Sequence, residues 1–252
     1  MKEISSLNNP IIKKAYKLQH KKYRQEYKLF LVENWKEIEI AYQNSMIEWL
    51  FLTKELLHLV ANWKVDIYLV SNSILEKISQ HKSAAKIIAI CKIPESKPLS
   101  YFYQSKRLVL IENIQDPGNL GTIIRSSQAF NFDIVYSGVD LFNSKVISAA
   151  KGSLFNVNIL KLNNLVDFFV EKKYQQKIVG TVVDKSAILL ENFLAKCDQK
   201  YAIVLGNEGQ GLSKFIKKYL DYSVYVKIEF ESLNIAICHA IFCNHFTNNC
   251  KK

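Results

Sequence analysis

The 252-residue sequence predicts a two-domain α/β chain, whose C-terminal part is a parallel sheet with helices on both faces. Three observations predict it. Beyond residue 106, short apolar runs alternate with stretches of helical spacing, the pattern of repeated strand–helix units. Five of the eight glycines (Gly118, Gly121, Gly206, Gly209, Gly211) fall in two polar turns that directly follow apolar runs. Between the halves, residues 93–100 carry two of the four prolines, as a linker does.

Element by element, residues 1–92 read as a small mixed domain. A helix is expected over about 10–27, a strand over 29–32 and a helix over about 35–44. Strands follow at 47–52, 67–70 and 87–91, with a helix near 73–78 between the last two. In the second half, strands are expected at 108–111, 134–136, 157–160, 178–183, 202–205 and 224–228. The domains are placed at 1–97 and 106–252, with 98–105 as linker.

Composition bounds the function. Hydrophobic residues make up 49% of the chain and aromatics 12%, enough for a buried core. Lys and Arg total 34 against 23 Asp and Glu, an excess that suits a polyanion, whether nucleic acid or an anionic membrane surface. No apolar run reaches the roughly 18–20 residues that span a bilayer. The first ten residues lack the apolar segment of a signal peptide, so a cytoplasmic protein is expected. Five cysteines without a CxxC pair argue against a disulfide framework.

Three segments carry the chemistry. In the first, a strand at 108–111 runs through Asp116-Pro117-Gly118-Asn119-Leu120-Gly121 into a helix that contains Arg125. The chain holds only three arginines against 31 lysines, and this one sits among Ile123, Ile124, Ala129 and Phe130. A planar guanidinium there suits bidentate contact with phosphate or carboxylate; a structural pairing with a nearby carboxylate is the alternative. The second segment, Leu205-Gly206-Asn207-Glu208-Gly209-Gln210-Gly211-Leu212-Ser213, is another strand-to-helix turn. It fits neither a phosphate loop nor the dinucleotide fingerprint, and on its own could be a plain glycine-rich turn. The third, Glu231-Ser232-Leu233-Asn234, precedes an apolar helix that Ser232 or Asn234 could simply cap.

In order and chemistry the trio resembles the motifs of the SpoU branch of the SPOUT RNA methyltransferases. The resemblance extends to the N-terminal half, where the stretches from Ile4 to Pro10 and from Phe30 to Glu33 are similar to the ribosomal-protein-like substrate-binding domain of the ribosomal-RNA members. It implies S-adenosylmethionine as cofactor and a C-terminal trefoil knot, which hydrophobic patterning does not predict and general topology rules disfavour. It also implies a homodimer with the active site across the subunit interface. By the same likeness Asn119, Arg125, Glu208, Ser232 and Asn234 form the catalytic set. Thr181, Leu205, Gly206, Asn207, Ile228 and Leu233 would hold the cofactor. The implied reaction is 2′-O-methylation of ribose, with large-subunit ribosomal RNA as preferred substrate. Transfer RNA is the alternative within the class, and a non-catalytic RNA-binding assembly factor the alternative outside it. The chain departs from the family in its shortened run Ile228-Glu229-Phe230 before Glu231, and in Asn34 where a glycine usually follows Val-Glu.

Two further features have competing readings. Lys13, Lys14, Lys17, Lys21, Lys22 and Arg24, interleaved with Tyr16, Tyr23 and Tyr27, suit RNA phosphates and unpaired bases, or form a solvated basic face. Cys238, His239, Cys243, His245 and Cys250 match no standard zinc spacing, and no metal is expected.

Overall fold

The structure, a computed structural model, describes residues 1–81 and 85–248. The chain divides into two compact units: residues 1–95 with 142–155, and residues 96–141 with 156–252.

The first unit runs β1 (Lys2–Ile4), α1 (Pro10–Lys17), α2 (Lys21–Tyr27), β2 (Leu29–Val32), α3 (Trp35–Gln43), β3 (Ile47–Leu52), β4 (Asp66–Val70), α4 (Asn72–Ile78) and β5 (Ile87–Lys92). Its mixed sheet has the order β1-β4-β3-β5-β2, with β5 antiparallel to both neighbours. Ile12, Ala15 and Leu18 at α1 and Ile74, Leu75 and Ile78 of α4 bury against Phe51, Tyr68, Ile88 and Ile90 of the sheet. Local chemistry sets the helix starts. The Asn9 side chain accepts from Ile11 N at 2.8 Å, and Pro10 supplies the fixed φ of a first helical position. Asn34 caps α3 in the same way, its side chain accepting from Lys36 N at 3.1 Å.

The helix expected over 10–27 is two helices, broken at Leu18-Gln19-His20. The break has a cause. Arg24 is buried, and its Nη1 donates to Leu18 O and Gln19 O, both at 2.9 Å, capping the carbonyl end of α1. Arg24 therefore does not belong to the RNA-facing set in which the sequence placed it. Arg24→Ala is expected to destabilise the protein by about 2 kcal/mol, because buried carbonyls lose a charged donor. Denaturant titration checks this, and a change below about 0.5 kcal/mol, the range of neutral surface substitutions, would contradict it.

Residues 142–155 also belong to the first unit, although the sequence placed them in the second domain. Phe142 and Phe155 pack on Phe30 with ring centroids at 4.7 and 6.0 Å, and Lys151 Nζ lies 3.9 Å from the buried Glu37 carboxylate.

The second unit carries α5 (Leu99–Phe102), β6 (Arg107–Ile114), α6 (Pro117–Phe130) and β7 (Asp133–Gly138); α7 (Ser144–Ala150) is the helix of the segment just described. Then come β8 (Ile159–Lys161), α8 (Val166–Val170), β9 (Lys177–Thr181), β10 (Ile188–Leu189), β11 (Tyr201–Leu205), α9 (Lys214–Lys217), β12 (Tyr222–Tyr225) and α10 (Ile235–Asn248). The stretch 98–105 is not a free linker. Phe102 and Tyr103 are buried with Leu108, Leu110, Phe168 and Phe169, and Gln176 Nε2 donates to Phe102 O and Ser105 O.

All seven strands are parallel, in the order β10-β12-β9-β11-β6-β7-β8. Alternate residues of β6 serve two layers. Leu108 and Leu110 face the cluster with Phe168, Phe169 and Ile216, while α6 and α10 pack together on the other side. From β6 the chain moves outward to β7 and β8; from β11, its neighbour, it moves the other way to β12. The carboxyl ends of β6 and β11 therefore form a switch point, where open α/β sheets bind ligands. Among the described residues, no helix is long and apolar enough to cross a membrane.

Candidate active site

The first two motifs leave the sheet at that switch point. Near the end of β6 the backbone kinks through Asn113 (φ 50°), which donates its N–H to Ser137 Oγ at 2.9 Å. Asp116 then caps α6 by accepting from Asn119 N at 2.7 Å, and Pro117 takes the first helical position. After β11, residues 207–211 fold into a tight loop. Asn207 and Gly211 exchange two backbone hydrogen bonds of 3.0 and 2.9 Å, and Gly211 sits at φ 66°. Asn207 is the hub of this loop: Oδ1 accepts from Gly209 N and Gln210 N, and Nδ2 donates to Asn113 O at 2.9 Å. Gly206 is needed for another reason. A Cβ there would lie 2.2 Å from Gly211 C and 2.4 Å from Leu212 N, both backbone atoms.

Side chains tie the third motif to the other two. Asn234 Oδ1 accepts from Ala236 N and Ile237 N and so caps α10, while its Nδ2 donates to Asn119 Oδ1 at 2.9 Å. Asn119 Nδ2 in turn points to Glu208 Oε1 at 3.5 Å, and the Glu208 carboxylate accepts from Gln115 N and Asp116 N at 3.4 Å each. Residues up to 115 positions apart in sequence thus form one polar chain, Asn234–Asn119–Glu208.

Beside that chain lies a cavity of about 1010 Å³. Its wall includes Asn119, Glu208, Ser232 and Asn234 of the expected catalytic set, and all six residues expected at the cofactor: Thr181, Leu205, Gly206, Asn207, Ile228 and Leu233. Thr181 is anchored by donation from its hydroxyl to Val204 O at 3.1 Å. Arg125 is not in the wall. It is exposed on α6, and among the described residues it has no carboxylate partner, which removes the structural pairing as its reason.

Sequence reading did not single out Val182, Val183, Asp184 and Lys185, which also line the cavity. Their signal was available: they directly follow β9, at the carboxyl edge of the same sheet. Glu112, another residue not singled out, accepts from Ser213 N at 2.9 Å and braces the far end of the second loop. Cys238 lines the cavity as well, its thiol pushed up to about 11 chiefly by burial and partly offset by a hydrogen bond with Thr181. His239 contacts Cys243, whereas His245 Nε2 lies 2.7 Å from Phe193 O. Among the described residues, no cluster of three or more His, Cys, Asp or Glu is placed to hold a metal; Cys250 lies outside them.

Comparison with known proteins finds family matches for both halves of the chain. Residues 106–244 match the SpoU rRNA methylase family, and residues 9–89 match the MRM3-like substrate-binding domain. The chain is 31% identical to the 23S rRNA (guanosine(2553)-2′-O)-methyltransferase RlmP of Bacillus subtilis, over 97% of this chain and 99% of that protein. A crystal structure of an rRNA methyltransferase from Sinorhizobium meliloti superposes with a TM-score of 0.85 at 25% identity, covering 97% of this chain and 96% of that one. The structure of the Sinorhizobium meliloti rRNA methyltransferase with AdoMet bound gives a TM-score of 0.84 at 23% identity, with the same coverage.

Proposed function

Because the chain belongs to the SpoU rRNA methylase family, we propose that it methylates a ribose 2′-hydroxyl of large-subunit ribosomal RNA with S-adenosylmethionine as donor. One observation carries this reading: the Asn234–Asn119–Glu208 chain gathers three distant motifs beside a single cavity at the switch point of the sheet. The near full-length relative acts on a guanosine of 23S rRNA, and we take a guanosine of the large-subunit RNA as the target here.

The cavity suits the cofactor. Ile228 and Leu233 offer apolar surface to an adenine, while the backbone of Leu205, Gly206 and Asn207 and the Thr181 hydroxyl offer polar groups to the adenosine. When bound, S-adenosylmethionine supplies a methyl group activated by its sulfonium centre. The chain's residues then act on the RNA. A ribose hydroxyl is a poor nucleophile at neutral pH and must be aligned and relieved of its proton. In this reading Arg125 grips a phosphate of the target nucleotide, and that phosphate assists the guanidinium in taking the proton. Asn119, Glu208, Ser232 and Asn234 orient Arg125 and the ribose.

A homodimer with a shared site fits the surface. Arg125 lies outside its own chain's cavity, and Ile237 on α10 is 54% exposed, so a second copy would cover this face. The family's trefoil knot is the reading we adopt for the C-terminal segment. Its support is that β11 is laid between β9 and β6 before the chain crosses to β12 and α10 returns to α6. The first unit, with its mixed sheet, serves as the ribosomal-protein-like substrate-binding domain, and we read the reaction as cytoplasmic.

RNA binding in that unit falls to Lys13, Lys17, Lys21 and Lys22, all exposed, and to Lys14, whose Nζ lies 5.0 Å from the ring centroids of both Tyr27 and Trp49. Replacing Lys13, Lys17, Lys21 and Lys22 together with alanine is expected to reduce the slope of log affinity against log salt by about 0.7–0.9 for each phosphate that is no longer neutralised. Stability should stay within about 0.5 kcal/mol per site, unlike Arg24→Ala. Filter binding across a salt series reads the slope, and an unchanged slope would remove this face from the RNA interface.

The direct test is transfer of labelled methyl from S-adenosylmethionine to ribosomal and transfer RNA from cells lacking the protein. Alkali-resistant label in large-subunit RNA is expected. Label in transfer RNA alone would redirect the substrate, and cofactor binding without transfer would point to a non-catalytic assembly factor.

A further inference from the structure

We infer that His239 is a positioning residue, which fixes the rotation and height of α6 against α10 and thereby aims Arg125. The inference rests on the catalytic role given to Arg125 above.

His239 is fully buried in the α6–α10 interface, on a helix whose other buried residues are chiefly apolar. A polar ring in such a place is costly unless its nitrogens are satisfied. Both are. Nδ1 lies 2.9 Å from Ser126 Oγ, while Nε2 lies 3.2 Å from Ser127 Oγ and 3.1 Å from Cys243 Sγ.

Two neutral tautomers satisfy both nitrogens. The Ser126 hydroxyl also lies 3.0 Å from Thr122 O and 3.2 Å from Ile123 O; with its proton directed along the helix it accepts from Nδ1–H. Nε2 then accepts from the Ser127 hydroxyl or the Cys243 thiol; in the other tautomer Ser126 donates to Nδ1 and Nε2–H donates to Ser127 Oγ or Cys243 Sγ. Burial pushes the Cys243 thiol well up, so it keeps its proton, and burial pulls His239 down to about 3. The ring is neutral across the working range, and in either tautomer each of its nitrogens has a partner.

Its location gives the network a consequence. Asn234 holds Asn119 at the start of α6, and His239 holds Ser126 seven residues later, about two turns along the helix. Two ties at that spacing restrain α6 against both rotation and sliding, where a smooth apolar contact would restrain neither in a specific register. Arg125 is the residue next to Ser126. It is exposed and has no carboxylate partner among the described residues, so the direction of its guanidinium depends on the orientation of α6. A helix displaced by about 1 Å can cost on the order of 100-fold in rate.

The test is a double-mutant cycle on single-turnover methyl transfer to large-subunit RNA, with cofactor affinity measured separately by calorimetry. His239→Ala is expected to slow transfer about 10- to 100-fold and to change the cofactor Kd by less than about 3-fold. In an Arg125→Lys background the same change should cost less than about 3-fold, because the group it aims is already compromised. His239→Asn, whose side chain can present an N–H near the Nδ1 position, should recover most of the rate. If His239→Ala does not fold, Ser126→Ala removes the same tie and enters the same cycle. Equal losses in both backgrounds, or no loss, would overturn this inference while leaving the role of Arg125 standing. Wild-type turnover by Arg125→Lys alone would overturn that role and this inference with it.

Discussion

Arg125→Lys is expected to lower kcat/KM for methyl transfer about 100-fold, equivalent to about 2.7 kcal/mol of transition-state stabilisation, with cofactor affinity unchanged. The substitution keeps the charge and removes the planar fork, so it isolates bidentate geometry from simple attraction to phosphate. The position is well suited to the experiment. Arg125 is exposed on α6 and makes no ion pair with a carboxylate among the described residues, so lysine costs the fold almost nothing. A loss of rate can then be assigned to the proposed RNA contact. Steady-state kinetics on ribosomal RNA, with thermal unfolding as control, decide the matter. A variant within about 3-fold of wild type would mean that charge alone suffices and that the proton leaves by another route.

Legibility in the sequence followed the range of the forces involved. The second unit was the most readable, because a parallel sheet buried on both faces needs apolar runs that alternate with helices, and little else imitates that pattern. The spacing of glycines located both candidate turns; at Gly206 it answers a close backbone approach and at Gly211 a positive φ. Long-range polar contacts left weaker traces. Nothing near Leu18 announces that Arg24 will fold back onto its carbonyl, so helical spacing ran through the break and a buried arginine read as a basic surface residue. Residues 142–155 carry an ordinary helical pattern, and nothing in it tells which unit they will join. Phe102 and Tyr103 were hidden by the prolines before them, although two adjacent aromatics are better core material than linker. At the site, the motifs were legible as separate turns, and Asn234 could be read equally well as a plain helix cap. The structure makes it both: one side-chain oxygen caps α10 while the amide nitrogen reaches Asn119.

Gly206→Ala is expected to weaken cofactor binding at least about 100-fold and to destabilise the protein by about 2–3 kcal/mol, as overpacking against rigid neighbours does. The added methyl would fall 2.2 Å from Gly211 C, 2.4 Å from Leu212 N and 2.6 Å from Gly211 O, all backbone atoms that no rotamer change can move aside. To relieve the clash the loop must open, and opening it breaks the paired backbone bonds between Asn207 and Gly211. Asn207 would then lose its hold on Asn113 O, and with it the register between the second motif and the first. The neighbouring glycines supply the controls. At Gly209 an added Cβ meets nothing closer than Asn207 Oδ1 at 3.7 Å, an ordinary contact, so Gly209→Ala should bind cofactor nearly as wild type does. At Gly211 the added atom has open space but the backbone sits at φ 66°, which costs a side chain about 1–2 kcal/mol and sets an intermediate effect. Calorimetric titration of S-adenosylmethionine into the three variants should rank them Gly206, Gly211, Gly209 from most to least impaired. Equal losses at all three would mean that loop flexibility, and not the steric fit of Gly206 against Gly211, governs the cofactor site.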